Sequence, residues 1–342
     1  MRTILHHLCA CLEKGQAAVM CTIIDSSGSA PRSSGTRMLY CQDSRLFGTI
    51  GGGELEGLCI IKARELLDSG PDHALLRFDL TAGQAAAAGM ICGGAVQVLL
   101  QRLIPEPGTI ALYASLNEAF CERKSPILLT VIEHTCAPRL LVHIPANPSL
   151  PDLPSELPSE ALARIGKTGQ PFTVSAGETK LHVEPMPRPP RLHLAGAGHV
   201  ALATAHLAGF LGFELIVFDD RPEFANRERF PGASDIKIVP SFVGCLEGLE
   251  PGDAVVIVTR GHLHDQEVLA QALHTEAGYI GMIGSRRKRD AIYAALRRQG
   301  FTDSDLSRVH SPIGLPIGGE SPEEIALSIM AEIQQYRYAT PT

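Results

Sequence analysis

The residues with the most chemical capacity sit in short polar blocks at the ends of apolar runs. Gly196-Ala197-Gly198-His199-Val200-Ala201 follows the strand-like run RLHLA and opens a helical run, and Asp219 closes the next apolar run 23 residues after Gly196. In that context the spacing is the fingerprint of a turn that cradles a dinucleotide. Gly196 permits the tight turn, Gly198 lets a pyrophosphate approach the backbone, and Ala201 packs helix on sheet. Asp219 or Asp220 would accept from a ribose hydroxyl. His199 falls in the first helical turn, where its imidazole could hydrogen-bond an anion or simply face solvent.

Two more blocks close later apolar runs. Thr259-Arg260-Gly261-His262-Leu263-His264-Asp265 ends DAVVIVT; its His and Asp spacing is poor for a metal, and Asp265 reads as the N-cap of the next helix. Gly284-Ser285-Arg286-Arg287-Lys288 sets amides, a hydroxyl and cations at a helix start. Basic side chains there oppose the helix dipole, which an anionic ligand would explain.

The first half of the chain carries three blocks of its own. Asp25-Ser26-Ser27-Gly28-Ser29-Ala30-Pro31-Arg32 is a loop dense in hydroxyls, and Gly51-Gly52-Gly53 enters a helix through Glu54 and Glu56. Both are backbone-rich anion cradles in principle, and three glycines in a row imply close backbone approach to a ligand or to protein. Met90-Ile91-Cys92-Gly93-Gly94 sets a thiol beside two flexible residues, where it reads equally as an accessible thiol or as a buried structural Cys. The other eight cysteines read as small buried hydrophobes.

Downstream of Pro190, apolar runs alternate with helical periods, which predicts βαβ order and a doubly wound parallel sheet. Ser285 caps a helix that closes at Gly300, and Ser321, Pro322 and Glu324 start the last one with a capping box. Upstream, AAVMCTII, RMLYC, AVQVLL, TIALYA and ILLTVIEH read as strands and LCIIKARELLDSG as a helix, an α+β domain of underivable topology. Ten of the 24 prolines fall between Pro145 and Pro190. We therefore expect two domains, 1–185 with a Pro-rich loop at about 145–160, and 186–342.

Composition bounds the rest. With 30 Lys and Arg against 37 Asp and Glu, the net charge of -7 argues against a general grip on nucleic acid or anionic lipid. No apolar run approaches the ~20 residues of a membrane span, and the odd, scattered set of nine Cys fits reduced thiols. The expectation is a soluble cytoplasmic protein.

Taken together, GSAPRSSGTRM, GTIGGGELEG, GMICGG, LAGAGHVA, VTRGHLHDQEVL, YIGMIGSRRK and HSPIGLPIGGESPEEIALSIMAEI resemble the XdhC/CoxF family over nearly the whole chain. These are xanthine dehydrogenase accessory factors that act as molybdenum cofactor insertion chaperones. The resemblance implies an α/β protein with a Rossmann-like C-terminal domain and an N-terminal α+β domain. It implies an accessory factor that need not turn over a substrate. Such a factor binds molybdopterin, shields it while a cysteine desulfurase supplies a terminal sulfur, and delivers it to a xanthine dehydrogenase-like apoenzyme, as a homodimer.

On that reading Cys92 meets molybdenum, with Gly93 and Gly94 beside it. Gly196, Gly198 and His199 hold the phosphate or nucleotide end, His264, Asp265, Ser285 and Arg286 form the rim, and Gly51, Gly52, Gly53 and Asp219 also bind the cofactor. Relatives of the CoxF type carry Cys where this chain has Glu54, which leaves Cys92 as the family thiol here. The alternative is an NAD-dependent oxidoreductase that uses the same turn, with His264 or His199 as acid–base, so NAD(P) stands beside molybdopterin as a candidate ligand.

Overall fold

The computed structural model describes residues 2–28, 32–68, 70–80, 94–122, 124–133, 136–144, 163–164, 169–186 and 188–339. The chain divides into two units, Met1–Arg188 and Pro189–Thr342. In the first, the described elements are α1 (Arg2–Glu13), β1 (Ala18–Gly28), β2 (Arg37–Cys41), β3 (Leu46–Gly48), α2 (Gly53–Asp68), β4 (His73–Leu80), β5 (Gly94–Leu103), α3 (Pro107–Cys121), β6 (Ile127–Ile132), β7 (Arg139–His143), β8 (Phe172–Ala176) and β9 (Thr179–Pro185).

Five of these strands form an antiparallel sheet in the order β3-β2-β1-β5-β4, and four form a second in the order β7-β6-β9-β8. Alternation along β1 and β2 separates two cores. Val19, Cys21, Met38 and Tyr40 face α2, whose Leu55, Cys59, Ala63 and Leu66 are buried. Met20, Leu39 and Cys41 face α1 and α3 through Leu5, Leu8, Leu12, Tyr113, Leu116 and Phe120.

Three sequence expectations are corrected here. TIALYA is not a strand but the first half of α3, which opens with Pro107 and buries Tyr113, Leu116 and Phe120 at helical spacing. A six-residue apolar window has no period of its own; the next turn supplies it. Helix α2 begins at Gly53 and so includes Glu54 and Glu56, and β1 runs on through Asp25–Gly28 against β5 rather than ending as a loop.

The second unit contains β10 (Arg191–Ala195), α4 (His199–Phe210), β11 (Glu214–Asp219), β12 (Asp235–Ile238), β13 (Ala254–Ile257), α5 (His262–Leu273), β14 (Tyr279–Met282), α6 (Arg286–Arg298), α7 (Asp303–Ser307), β15 (Val309–His310) and α8 (Pro322–Ala339). Its six strands are parallel and ordered β12-β11-β10-β13-β14-β15. The strand order reverses between β10 and β13, which is where open α/β sheets bind ligands beyond their carboxyl ends.

Both faces of the sheet are covered, as the apolar runs at its centre require. Leu192, Leu194, Val217 and Val256 pack under α4 and α8 through Ala201, Ala205, Ala208, Ile329 and Ile333. Phe218, Val255, Ile257 and Met282 pack under α5 and α6 through Val268, Leu269, Ile292 and Leu296. The alanine stripe of α4 lets that helix lie close to the sheet. The expected caps are present: Ser285 Oγ accepts from the Lys288 amide at 3.2 Å, and Ser321 and Glu324 exchange amide hydrogen bonds at 3.0 and 3.3 Å.

Candidate functional site

In the first unit, register gathers the sequence blocks at one end of the five-stranded sheet. Gly94 opens β5 opposite Gly28 of β1 and Leu80 of β4, and β3 ends at Gly48 opposite Met38, near the start of β2. The Ser26-Ser27-Gly28 segment, the turn through Gly51 and the start of β5 therefore share that end. Cys92 and Gly93 lie outside the described residues.

The glycine turn holds an anion, and that anion is the chain's own. Gly51, Gly52 and Gly53 all have positive φ, at 130, 73 and 61°, a conformation that other residues adopt only under strain. They curl the turn so that the Glu56 carboxylate accepts from the Ile50 and Gly52 amides at 3.2 and 3.1 Å and from the Thr49 hydroxyl at 2.6 Å. What approaches this backbone closely is protein.

In the second unit, four strand ends converge at the reversal point. Gly196 has φ 112°, and a Cβ built there would lie 2.7 Å from the Val258 carbonyl carbon and 3.0 Å from the Thr259 nitrogen, closer still to the Val258 oxygen. This glycine serves the contact between the ends of β10 and β13. Gly198 is different. It is the N-cap of α4, gives no side-chain cap, and a Cβ there would meet nothing within 4 Å. Gly261 likewise caps α5 without a side chain and faces open space. Two uncapped helix starts thus offer their first amides to an anion.

These observations separate two glycines that the fingerprint treats alike. Gly198→Ala is expected to leave the thermal midpoint of the protein within about 2 °C of wild type, since the residue is non-helical at φ -69° with space around it. Any loss of anion binding in that variant then reports on the turn itself.

The side chains around the crevice are more committed than the sequence suggested. Asp219 is buried, and its carboxylate accepts from the Ala197 amide at 2.7 Å, the Arg221 amide at 3.0 Å and Arg221 Nε and Nη2 at 2.9 and 3.0 Å. Burial works to raise this carboxyl, but the Arg221 guanidinium and the two amides outweigh it and hold the group below the ordinary carboxylate range. Asp220 accepts from Arg260 Nη2 at 3.1 Å.

Asp265 is not the N-cap of α5; the helix starts three residues earlier and Gly261 occupies the cap. Asp265 is fully buried, accepts from the Thr259 hydroxyl at 2.6 Å and pairs with Lys288. Gly284, with φ 146°, leaves room for the Lys288 stem, since a Cβ there would lie 2.6 Å from Lys288 Cδ. One of the basic residues at the start of α6 is therefore explained by an internal carboxylate. Ser285 and Arg286 lie beside it, with Arg286 exposed.

His264 turns toward Glu267, at 3.4 Å, and the Phe242 ring, rather than toward the glycine turn. His199 is exposed and lines a cavity of about 390 Å³ between α4 and α8, with Leu202, His206, Leu207, Pro322 and Leu327. Its mostly apolar walls begin one residue from the open amides at Gly198. Among the described residues no three His, Cys, Asp or Glu side chains stand together as metal ligands. Among them, too, no helix is long and apolar enough to cross a membrane.

Sequence reasoning passed over Arg221 and named Thr259 and Arg260 only as part of their block, with no role of their own. Their signal was position: each lies within a few residues of a strand end or turn already singled out. Several of the described thiols are withdrawn. Burial pushes Cys41 and Cys59 up to about 12 and Cys245 up to about 11, and Cys21 well above its ordinary value. Cys11 and Cys41 lie 3.1 Å apart, sulfur to sulfur, as free thiols.

Comparison with known proteins gives this arrangement a context. The family described as the XdhC Rossmann domain matches residues 192–333, and the XdhC and CoxI family matches residues 11–79. A probable xanthine dehydrogenase component of Bacillus subtilis is 29% identical over 337 residues, covering 96% of each chain. The molybdenum cofactor insertion chaperone PaoD of Escherichia coli is 25% identical over 343 residues, 98% of this chain and 88% of that one. The uncharacterized protein YqeB of Escherichia coli is 28% identical, but this chain spans only 44% of its length. A crystal structure from Bacillus halodurans, described as a xanthine dehydrogenase, superposes with a TM-score of 0.79 at 26% identity, covering 99% of this chain and 97% of that one.

Proposed function

Because the chain belongs to the XdhC and CoxI family, we propose that it carries the molybdenum cofactor and hands it to a xanthine dehydrogenase-like apoenzyme. The observation that supports this most is the crevice at the β10–β13 reversal. An open glycine-capped helix start lies there next to a mostly apolar cavity of about 390 Å³, within the size range of small-molecule pockets. That pairing suits a flat heterocycle that ends in a phosphate. The donor set fits the organic part of the cofactor: amides and guanidinium for the anion, apolar walls for the ring.

Cys92 is assigned the metal, since a soft thiolate is a natural molybdenum-side partner and the described thiols of known pKa direction are all raised. Sulfuration of the cargo by a cysteine desulfurase, action in the cytoplasm and assembly as a homodimer belong to the same reading.

The test is to express the protein in a molybdate-replete host, purify it without oxygen, and measure molybdenum together with the fluorescence of the oxidised pterin. Metal and pterin in fixed proportion, with the metal reduced at least several-fold in Cys92→Ala at unchanged thermal midpoint, is the expected result. A chain that neither retains the cofactor nor takes it up from solution would overturn the proposal. Full activation of the target apoenzyme by Cys92→Ala would remove the role of that thiol.

A further inference from the structure

At the β10–β13 reversal, two side chains that flank the crevice are already bonded to each other. In the sheet, β10 lies between β11 and β13. Asp220 follows the end of β11, and Arg260 follows the end of β13 by three residues. Their hydrogen bond, Arg260 Nη2 to Asp220 Oδ2 at 3.1 Å, therefore reaches across the end of β10, past the turn Gly196-Ala197-Gly198. It links two strands that are roughly 10 Å apart in the sheet. In a dinucleotide-binding fold the ribose lies between that turn and the carboxylate closing the second strand.

The carboxylate at that position has nothing left to offer. Asp219 accepts four hydrogen bonds, and its side chain is 2% exposed. A ribose diol needs an acceptor there; a buried carboxylate bound to a guanidinium and two amides is not one. Asp220 is 20% exposed and engaged by Arg260. Arg260 itself is 61% exposed, and among the described residues only Nη2 has a partner, so its other N–H groups face solvent. The polar groups presented at this crevice are thus donors: the amides at the start of α4 and the Arg260 fork.

From this geometry we propose that the crevice selects a ligand ending in a phosphate monoester and discriminates against one extended by a nucleotide, NAD included, with Arg260 as the specificity-determining residue. The inference rests on the cofactor-carrier reading and narrows it to the nucleotide-free form of the cargo. A doubly charged monoester terminus gains both the Arg260 fork and the α4 amides. A nucleotide extension loses charge at that phosphate, must break the Arg260–Asp220 bridge to pass, and finds no acceptor for its ribose.

Matched probes test this on the full chain: the phosphate monoester of 6-hydroxymethylpterin, the same compound joined through a pyrophosphate to adenosine, and NAD, each titrated by calorimetry. The monoester should bind about tenfold or more tightly than either nucleotide. Arg260→Ala should weaken the monoester about 10- to 100-fold and erase the discrimination, as expected for a charge-assisted contact. Its thermal midpoint should stay at the wild-type value because the side chain is exposed. Arg260→Lys should recover part of the affinity.

A monoester-to-nucleotide ratio near one or reversed, tight binding of NAD, or an Arg260→Ala variant that binds the monoester as wild type would each overturn the selectivity while leaving the carrier reading in place. If monoester and nucleotide form both fail to bind, the selectivity is overturned, and the carrier reading is decided separately by the measurement of metal and pterin on the purified protein.

Discussion

Replacing Gly196 with alanine is expected to lower the thermal midpoint of the second unit by roughly 6–12 °C, the equivalent of about 3 kcal/mol for a unit of this size. Three observations set that magnitude. The residue sits at φ 112°, where an L side chain is strained by itself. The added Cβ would lie 2.7 Å from the Val258 carbonyl carbon, which is backbone and cannot rotate away. That backbone is held in place, because Val258 N donates to Ala195 O at 2.8 Å and Gly196 N donates to Phe218 O at 2.7 Å. Relief therefore means separating β10 from β13, the central pair of the sheet. Melting of Gly196→Ala beside Gly198→Ala checks the contrast; equal midpoints would show that the close approach at Gly196 is not as tight as described.

The second large effect is expected from Glu184. Its carboxylate, 4% exposed, pairs with Arg37, and His182 Nε2 stands 3.5 Å from its other oxygen. Arg37 Nε also donates to the Thr22 hydroxyl at 3.2 Å, and the Thr173 hydroxyl donates to the Ile24 carbonyl at 2.5 Å while contacting His182 Nδ1 at 2.8 Å. Strands of the two first-unit sheets are tied together by these buried polar contacts. Glu184→Ala removes the carboxylate that faces the buried Arg37 and should cost about 3–5 kcal/mol in urea unfolding. A double variant, Arg37→Met with Glu184→Leu, should regain much of that loss because it removes both desolvated charges.

The same pair predicts an acid limb. Burial tends to raise the Glu184 carboxyl, but Arg37 first, then His182, bring it below its ordinary value. A depressed carboxyl contributes stability that is fully present above its unfolded pKa, about 4.3. That contribution is lost as pH falls through the lower folded value. Stability below about pH 4 should therefore fall more steeply in wild type than in Glu184→Gln. Parallel acid limbs in the two proteins would show that this pair does not set it.

How far the sequence could be read depended on the range of each interaction. The second unit was legible because its signals are local: a strand, a glycine turn and a helix follow one another within LHLAGAGHVALATAHLAG, and Ser285 and Ser321 announce their helices within four residues. The carboxyl edge of the sheet followed from element order alone. What failed was either ambiguous over a short window, as with TIALYA inside α3, or dependent on a distant partner. Arg37 and Glu184 are 147 residues apart, and Arg260 and Asp220 are 40 apart. No periodicity marks such pairs.

The roles of Asp219 and Gly51–Gly53 show the same limit from the other side. Residue type marked an acceptor at the end of β11 and an amide nest at the start of α2. In each case the partner turned out to be the chain itself, Arg221 in one and Glu56 in the other. Only the folded arrangement distinguishes a group that waits for a ligand from one already satisfied.

The withdrawn thiols have a practical and a chemical consequence. A thiol with its pKa near 12 holds on the order of one thiolate in ten thousand at pH 8, so Cys41 and Cys59 should be almost inert to iodoacetamide in the native protein. Cys21 and Cys245, buried with raised values, should react slowly as well. A short alkylation pulse, read by peptide mass spectrometry, then maps reactivity onto the other five cysteines. On the carrier reading proposed above, the same silence means that these four thiols do not compete as acceptors for a sulfur supplied to the cargo.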